Sequence, residues 1–363
     1  MKTFFKYLFF GLITLILLFQ KANSEEKIKI GLIIPLSGEY KEIGESILKS
    51  VRLAINKIND QNLIIVPKDT KSNPEVTLKV SKELYNDGIK IILGPVFNNS
   101  SIYLDELKEV TFLSFTNKIN NNPNNVISAG VNAISQINTI KKFQKLNGLE
   151  RSIFLIPNSD YKQEIENAIK KTKINLKETF IYNTDPTVLT SQIEKLTRYK
   201  QRKRNVEDEI KRLENSNEAN KKKKIANLKK RDTLGGINFD SIIIADFDEG
   251  LKSVATSFLY TDISSKRIKY ISFNQWFDST LLKEKSLQPI YFPSINKENY
   301  EIFTEEYYKS YNSYPNQISF LSYDLIGLVY YLIYKNNFKV DKKIFVKKNK
   351  FKGKIGIFEI SKN

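Results

Sequence analysis

The chain of 363 residues contains no cysteine and no histidine. Without cysteine, disulfide bonds, thiolate nucleophiles and a lipid-modified N-terminal cysteine are excluded. Without histidine, the commonest metal ligand and general base is missing, so zinc, haem and Ser-His-Asp chemistry are not expected. We therefore predict no catalytic residue, no metal site and no cofactor. A binding protein is favoured over an enzyme, although Asp, Glu, Tyr and Lys side chains remain able to transfer protons.

The first 24 residues have the pattern of a secretory signal peptide. Lys2 and Lys6 give a positive start, 7–19 is an uninterrupted apolar run, and Ala22 and Ser24 supply the small residues that a signal peptidase reads. The alternative is an uncleaved inner-membrane anchor. The run is short for a membrane-spanning helix, which needs about 20 residues, so cleavage and a periplasmic location are favoured.

A strong positive charge is concentrated in one segment rather than spread evenly. The net charge is +18, and residues 200–231 contain thirteen Lys and Arg against five Asp and Glu. No zinc-finger spacing or aromatic ribonucleoprotein motif accompanies this charge, and export would separate the chain from nucleic acid. No nucleic-acid partner is therefore predicted.

Short β-branched runs alternate with amphipathic stretches, which predicts parallel strands joined by crossover helices. With 41% hydrophobic residues, a chain of this length is able to bury two cores. The predicted fold class is α/β, with two doubly wound parallel-sheet lobes joined by a hinge. The first lobe is expected over 25–132 plus 273–337, and the second over 133–272 plus 338–363, with a last strand from 352–360.

Residues 199–235 do not fit the strand pattern. Val206, Ile210 and Leu213, and then Ile225 and Leu228, form two apolar stripes at helical spacing, which predicts a protruding helical hairpin. The alternative is a solvated, partly disordered insertion. We expect residues 200–231 to be dispensable for folding and to dock onto an acidic partner or anionic lipid headgroups.

Polar side chains follow three strands of the predicted first lobe. In open α/β sheets, ligands bind where the carboxyl ends of the strands meet helix N-termini. The alternative is ordinary turn and capping use of Ser, Asn and Gly. Since all three loops converge on one edge, we predict a ligand site there, with the candidate residues Ser37, Tyr40, Asn98, Asn99, Thr116 and Asn117.

These loops also carry a family resemblance. IKIGLIIPLSGEYKEIGESILKSVRLAINKIN and DGIKIILGPVFNNSS resemble the opening strand and the ligand loop of type I periplasmic binding proteins of the leucine-binding type. The resemblance covers 28–360 and implies a cleft between two lobes that closes on a small polar, amino-acid-like ligand. It implies that Asn98, Asn99, Thr116 and Asn117 hold an α-carboxylate and that Tyr161 contributes an aromatic ring.

This sequence departs from the family at the position whose acidic residue contacts the ammonium group of an amino-acid ligand. FNQW (273–276) contains no acid, and Asp246 and Asp248, which follow the strand DSIIIA, are the possible substitutes, with Asp246 as the candidate site residue. Within the family, KDTKSNPE (68–75) and RDTLGGINFDSIII (231–244) resemble proteins identified as penicillin-binding protein activators. Two functions follow as expectations. One is solute capture for an inner-membrane ABC permease, and the other is regulation of a peptidoglycan synthase through protein docking.

The signal-peptide interpretation predicts that the mature chain begins near Glu25. Intact-mass spectrometry of the exported protein should show the loss of residues 1–24. An exported protein that retains this segment would identify it as an anchor.

Overall fold

Two all-parallel sheets of five strands each organise the chain in the computed structural model, which describes residues 27–118, 122–274, 279–345, 349–354 and 356–359. Unit 1 comprises Met1–Gly130 and Ile295–Asn363, and unit 2 comprises Val131–Ser294. The predicted fold class, two parallel-sheet α/β lobes, is confirmed. The predicted signal peptide lies outside the described residues. No helix among the described residues combines the length and apolarity that crossing a membrane requires.

The sheet of unit 1 has the strand order β2-β1-β3-β4-β5. Its strands are β1 (Ile28–Ile34), β2 (Leu63–Asp69), β3 (Ile91–Leu93), β4 (Thr111–Ser114) and β5 (Val126–Ser128). Helices α1 (Lys41–Ile58) and α2 (Pro74–Asn86) follow the first two strands. Because side chains alternate across a strand, Ile30 and Leu32 face one core and Ile33 faces another. Both faces of β1 are therefore buried, as parallel sheets require.

The sheet of unit 2 has the strand order β10-β9-β8-β6-β7. Its strands are β6 (Ser152–Pro157), β7 (Glu178–Tyr182), β8 (Ser241–Ile244), β9 (Lys269–Ser272) and β10 (Ile290–Tyr291). Helices α3 (Ala133–Asn147) and α4 (Lys162–Thr172) cover one face, and α5 (Pro186–Leu196) and α8 (Asp248–Tyr260) cover the other. A short helix, α9 (Ser279–Lys283), precedes β10.

The structure differs from the predicted lobe boundaries at two places. Residues 273–294 stay with unit 2, because β10 pairs with β9 and Leu281 and Leu287 join the same core. Residues 338–363 belong to unit 1, where helices α10 (Lys297–Tyr311) and α11 (Ile318–Lys335) also lie.

The predicted last strand of the second lobe is wrong. Strands β11 (Lys350–Lys352) and β12 (Ile357–Glu359) pair antiparallel with each other. Phe351 and Phe358 pack against the core that contains α11, so this hairpin is part of unit 1.

The segment at 199–235 is the predicted helical hairpin, here called the arm. Its helices are α6 (Tyr199–Glu214) and α7 (Lys221–Leu228). Val206, Leu213 and Leu228 form a small core of their own, with Ile210, Ile225 and Leu234 packed against it. The arm therefore has its own apolar contacts, separate from the core of the sheet.

The base of the arm is anchored in unit 2 by a buried arginine. Arg202 is 2% exposed. Its Nη1 donates to the carbonyl of Thr261 at 3.0 Å, and its Nη2 donates to Oγ1 of Thr233 at 2.6 Å. Thr233 in turn donates to Asp262 Oδ2 at 2.6 Å, which places a carboxylate 3.8 Å from Arg202. The expectation that all of 200–231 is dispensable therefore needs revision at its first residues.

Two deletions of different length should distinguish the contribution of Arg202 to the melting temperature from that of the rest of the arm. Replacing 207–228 with a short Gly/Ser linker keeps Arg202, and the melting temperature should stay within about 3 °C. Replacing 200–231 leaves the polar groups around Arg202 without their charged donor, at a cost of about 2–4 kcal/mol. Its melting temperature should fall by about 5 °C or more, measured by differential scanning calorimetry. Equal melting temperatures would show that Arg202 is not an anchor.

Candidate functional site

The first loop of the unit 1 edge is held by a carboxylate at the end of β2. Asp69 accepts a hydrogen bond from Ser37 Oγ at 2.6 Å and from the Leu36 amide at 2.8 Å. Burial raises the pKa of Asp69, but the hydrogen bonds from Ser37, Lys71 and Leu36 outweigh it and hold this pKa below its ordinary value. Because the hydroxyl hydrogen of Ser37 is committed to Asp69, Ser37 can offer a ligand only its acceptor lone pairs.

An aromatic pair stands between the first and second loops. The ring of Tyr40, which precedes α1, lies 4.6 Å from the ring of Phe97, and Tyr40 is 38% exposed. Phe97 directly precedes a 3-10 turn at Asn98–Ser101. The two rings provide an apolar surface beside the polar residues of the second loop.

The second loop contains a polar atom without a partner. The Oδ1 atom of Asn98 is buried and accepts no hydrogen bond from the described residues. Asn99, the next residue, is exposed. An orphaned buried acceptor costs about 1–3 kcal/mol, so Asn98 is suited to receive a donor from a bound molecule.

The third loop places a buried threonine next to the second. Thr116 is 7% exposed, and its Oγ1 accepts a hydrogen bond from the Lys118 amide at 3.2 Å. The described residues give its hydroxyl hydrogen no acceptor, so that hydrogen is available to a ligand. Asn117 is exposed. The loop is tied to the second one because Ser114 Oγ donates to the carbonyl of Pro95 at 2.9 Å.

Close backbone packing makes this edge possible. Gly94 has φ +107°, and a Cβ atom there would lie 2.1 Å from the carbonyl oxygen of Ile33. At Gly44, in the first turns of α1, a Cβ atom would lie 1.6 Å from the carbonyl oxygen of Pro35. Only glycine allows these approaches, so the positions of the first two loops depend on both residues.

The edge of unit 2 is built around a buried carboxylate, Asp246, which is 8% exposed. It follows β8 and accepts hydrogen bonds from Tyr161 Oη at 3.2 Å, from Tyr182 Oη at 2.5 Å and from the Phe247 amide at 2.8 Å. A Cβ atom on Gly250 would lie 2.4 Å from one of its oxygens. Asp246, the candidate partner for a ligand ammonium, therefore orients two tyrosines in the structure.

Tyr161 is the half-buried ring of this edge. It precedes α4, and its ring lies 6.5 Å from that of Phe247 at an angle of 61°. Burial, followed by the charge of Asp246, raises the pKa of Tyr161 to about 12. The hydroxyl therefore stays protonated throughout the physiological range and remains a neutral hydrogen-bonding group.

The FNQW motif differs from the residues above. In FNQW, Asn274 is buried and its amide donates to Gln136 Oε1 at 2.7 Å, whereas 275–276 lie outside the described residues.

The described residues contain no group of three or more Asp and Glu side chains placed to hold a metal ion.

Sequence reasoning missed four residues of these two edges: Asp69, Phe97, Tyr182 and Phe247. Asp69 and Tyr182 are the last residues of β2 and β7, and Phe97 and Phe247 follow β3 and β8 closely. Their position at or just after strand ends was the available signal. Their apolar or common residue types gave no reason to select them.

The bond between Tyr161 and Asp246 predicts a change in titration. Asp246→Asn removes the negative charge, so the pKa of Tyr161 should fall below about 12, while burial, the larger cause, should keep it above its ordinary value. The measurement is NMR of protein labelled with [13Cζ]tyrosine, with the resonance assigned by Tyr161→Phe. Asp248→Asn, at an exposed carboxylate two residues away, is the control and should leave this pKa unchanged. An equal shift in both variants would contradict the assignment.

Comparison with known proteins gives a family match over part of the sequence. The family described as "Periplasmic binding protein" matches residues 27–190. Among curated protein sequences, no significant match is found.

Solved structures give the same fold over nearly the whole chain. A branched-chain amino acid substrate-binding protein of Streptococcus pneumoniae, in complex with isoleucine, is 16% identical with a TM-score of 0.55, over 93% of this chain and 92% of that one. A putative branched-chain amino acid ABC transporter protein from Rhodospirillum rubrum is 11% identical with a TM-score of 0.66, over 92% and 95%.

A third solved structure has a different kind of ligand. A solute-binding protein of an ABC transporter from Rhodopseudomonas palustris BisB5, in complex with 3,4-dihydroxybenzoic acid, is 16% identical with a TM-score of 0.52, over 91% of this chain and 87% of that one. At these identities the structural likeness establishes the fold alone. The fold of the chain is therefore that of the type I periplasmic binding proteins, and residues 27–190 are similar to the family's sequence model.

Proposed function

We propose that the chain captures a small polar, amino-acid-like solute and delivers it to an inner-membrane ABC permease. The observation that carries this proposal is the unused hydrogen-bonding capacity at the edge of unit 1. Asn98 Oδ1 is a buried acceptor without a donor, and the hydroxyl hydrogen of Thr116 has no acceptor among the described residues. A ligand that supplies both a donor and an acceptor satisfies both atoms.

A carboxylate is the acceptor that fits best. The candidate donors at this edge are Thr116, Asn99 and Asn117, which are neutral, and the first amides of the turn at 98–101, which have no intrahelical partner. The adjoining rings of Tyr40 and Phe97 would cover an apolar part of the ligand. Ser37 would contact the ligand only as an acceptor.

In unit 2, Tyr161 is the proposed ligand contact, because its protonated hydroxyl and ring suit a polar ligand with an apolar part. Asp246 would act through Tyr161 as a positioning residue, because its carboxylate accepts hydrogen bonds from Tyr161, Tyr182 and the Phe247 amide. We assign these residues to binding and propose no chemical step. The proposed location is the periplasm, which the family implies.

The hydrogen bonds that Asp246 already accepts within unit 2 favour a second ligand class. An amino acid brings an ammonium group that needs an acidic partner, and FNQW offers none. A hydroxylated aromatic acid brings the same carboxylate, a neutral hydroxyl donor and a flat apolar ring. Its binding would satisfy Asn98 and Thr116 without a free carboxylate in the protein.

A thermal-shift screen with matched ligands tests the proposal. The set is leucine and isoleucine, 4-hydroxybenzoate and 3,4-dihydroxybenzoate, and the corresponding amides, which lack the negative charge. A bound acid at 100 times its Kd should add about 2.7 kcal/mol of stability, and its amide should add much less. Thr116→Val keeps the volume and removes the hydroxyl, and it should weaken binding roughly 10- to 100-fold by isothermal titration calorimetry.

Thr139→Val is the matched control, because it makes the same change on an exposed helical position of unit 2. It should leave the affinity unchanged. Equal affinity in Thr116→Val would remove Thr116 from the site. If no acid in the set stabilises the protein, solute capture is contradicted, and the alternative of an activator-like protein that docks onto a peptidoglycan synthase becomes the better hypothesis.

A further inference from the structure

The second half of the arm is a dense run of positive charge. Residues 221–231, here called the basic strip, contain seven Lys and Arg and no Asp or Glu. The strip comprises α7 and the turn that follows it. Its charge is independent of the proposed solute site, which lies at the strand ends.

Most cations of the basic strip have no acidic partner. Lys224 is paired with Glu218 at 2.7 Å, and Lys221 Nζ donates to the carbonyl of Ser216 at 2.9 Å. The other five cations are exposed and form no ion pair with the described residues: Lys222, Lys223, Lys229, Lys230 and Arg231. Their full charge therefore faces solvent.

Ion pairs and apolar packing within the arm hold the basic strip in position, and the acids of the arm lie outside the strip. At the tip, Arg212 pairs with Glu209 and Glu218 at 2.8 Å and 2.7 Å, which joins the end of α6 to the loop before α7. Ile225 and Leu228, the two bulky apolar residues of the strip, pack against the apolar residues of α6. The remaining acids of the arm lie outside the strip: Glu207, Asp208 and Glu214 are on α6, and Asp232, directly after the strip, accepts a hydrogen bond from Tyr199 and lies 3.7 Å from Lys203.

The composition of the strip separates two kinds of partner. Protein interfaces are enriched in aromatic residues and Arg at their centre and depleted in Lys. The strip has no aromatic residue, six lysines to one arginine, and its bulky apolar side chains turned inward. A surface of anionic lipid headgroups needs only charge density, and flexible, strongly hydrated lysines suit phosphates without fixed positions. We infer that the basic strip binds the surface of an anionic lipid bilayer.

Vesicle co-sedimentation tests this inference. It uses the full-length protein as purified from the cells that express it. The probes are vesicles of phosphatidylcholine alone and of phosphatidylcholine with phosphatidylglycerol in a 3:1 ratio. The strip variant carries Lys222→Gln, Lys223→Gln, Lys229→Gln and Lys230→Gln. The control carries the same change at four exposed lysines outside the arm: Lys108, Lys142, Lys170 and Lys285.

We expect binding to the anionic vesicles at low salt, little binding to neutral vesicles, and loss of binding in 1 M salt, where the Debye length is about 3 Å. Each lysine near an anionic surface contributes roughly fivefold to affinity, so the strip variant should bind at least tenfold more weakly. The control should stay within about twofold. Circular dichroism should show an unchanged melting temperature for both variants, since these side chains are exposed.

Three results would overturn the inference. One is equal binding of the strip variant and the unmodified protein to anionic vesicles. Another is equal binding to neutral and anionic vesicles, which would indicate an apolar contact. The third is tighter binding of soluble polyglutamate than of anionic vesicles at equal charge concentration, which would make the strip a docking surface for an acidic protein.

Discussion

Parallel strand pairing constrains everything else in this protein. Each parallel connection must return along a face of the sheet, in most cases as a helix, so both faces of both sheets are covered and all strand ends of one direction meet at one edge. The buried faces consist mainly of Ile, Val, Leu and Phe, whose side chains have no polar groups. The loops at the carboxyl edge are therefore the place where polar side chains can meet, and the candidate residues of both units lie there.

Within each edge, one carboxylate organises the loops: the half-buried Asp69 in unit 1 and the buried Asp246 in unit 2. Asp69 fixes the loop after β1 through Ser37 and Leu36, and Asp246 fixes Tyr161 and Tyr182. A charge buried in this way is tolerated because its oxygens accept several hydrogen bonds. These carboxylates hold neutral groups in position for a ligand, so the chemistry offered at each edge is that of hydroxyls, amides and rings.

The arm follows a different principle. It interrupts no strand, and it is stabilised by a small apolar cluster and by Arg202, which donates to Thr261 and Thr233 and lies 3.8 Å from Asp262. Because the apolar cluster of the arm is small and separate, the arm contributes little to the stability of the two sheets. Its helices instead fix in space a run of lysines that would otherwise be a mobile loop, which makes their summed charge available to one flat partner.

The sequence by itself determined the α/β class, the parallel sheets and the helical arm, because hydrophobic period and turn residues are local properties. It also identified Asn98 and Thr116 as edge residues, since strand ends can be located from the pattern. Only the tertiary structure decided that 338–363 returns to unit 1 and that Ser37 and Asp246 are already hydrogen-bonded. Those outcomes depend on contacts between residues far apart in the chain, such as Ser37 with Asp69 and Tyr161 with Asp246. No local pattern encodes which of several polar side chains a buried carboxylate will bind.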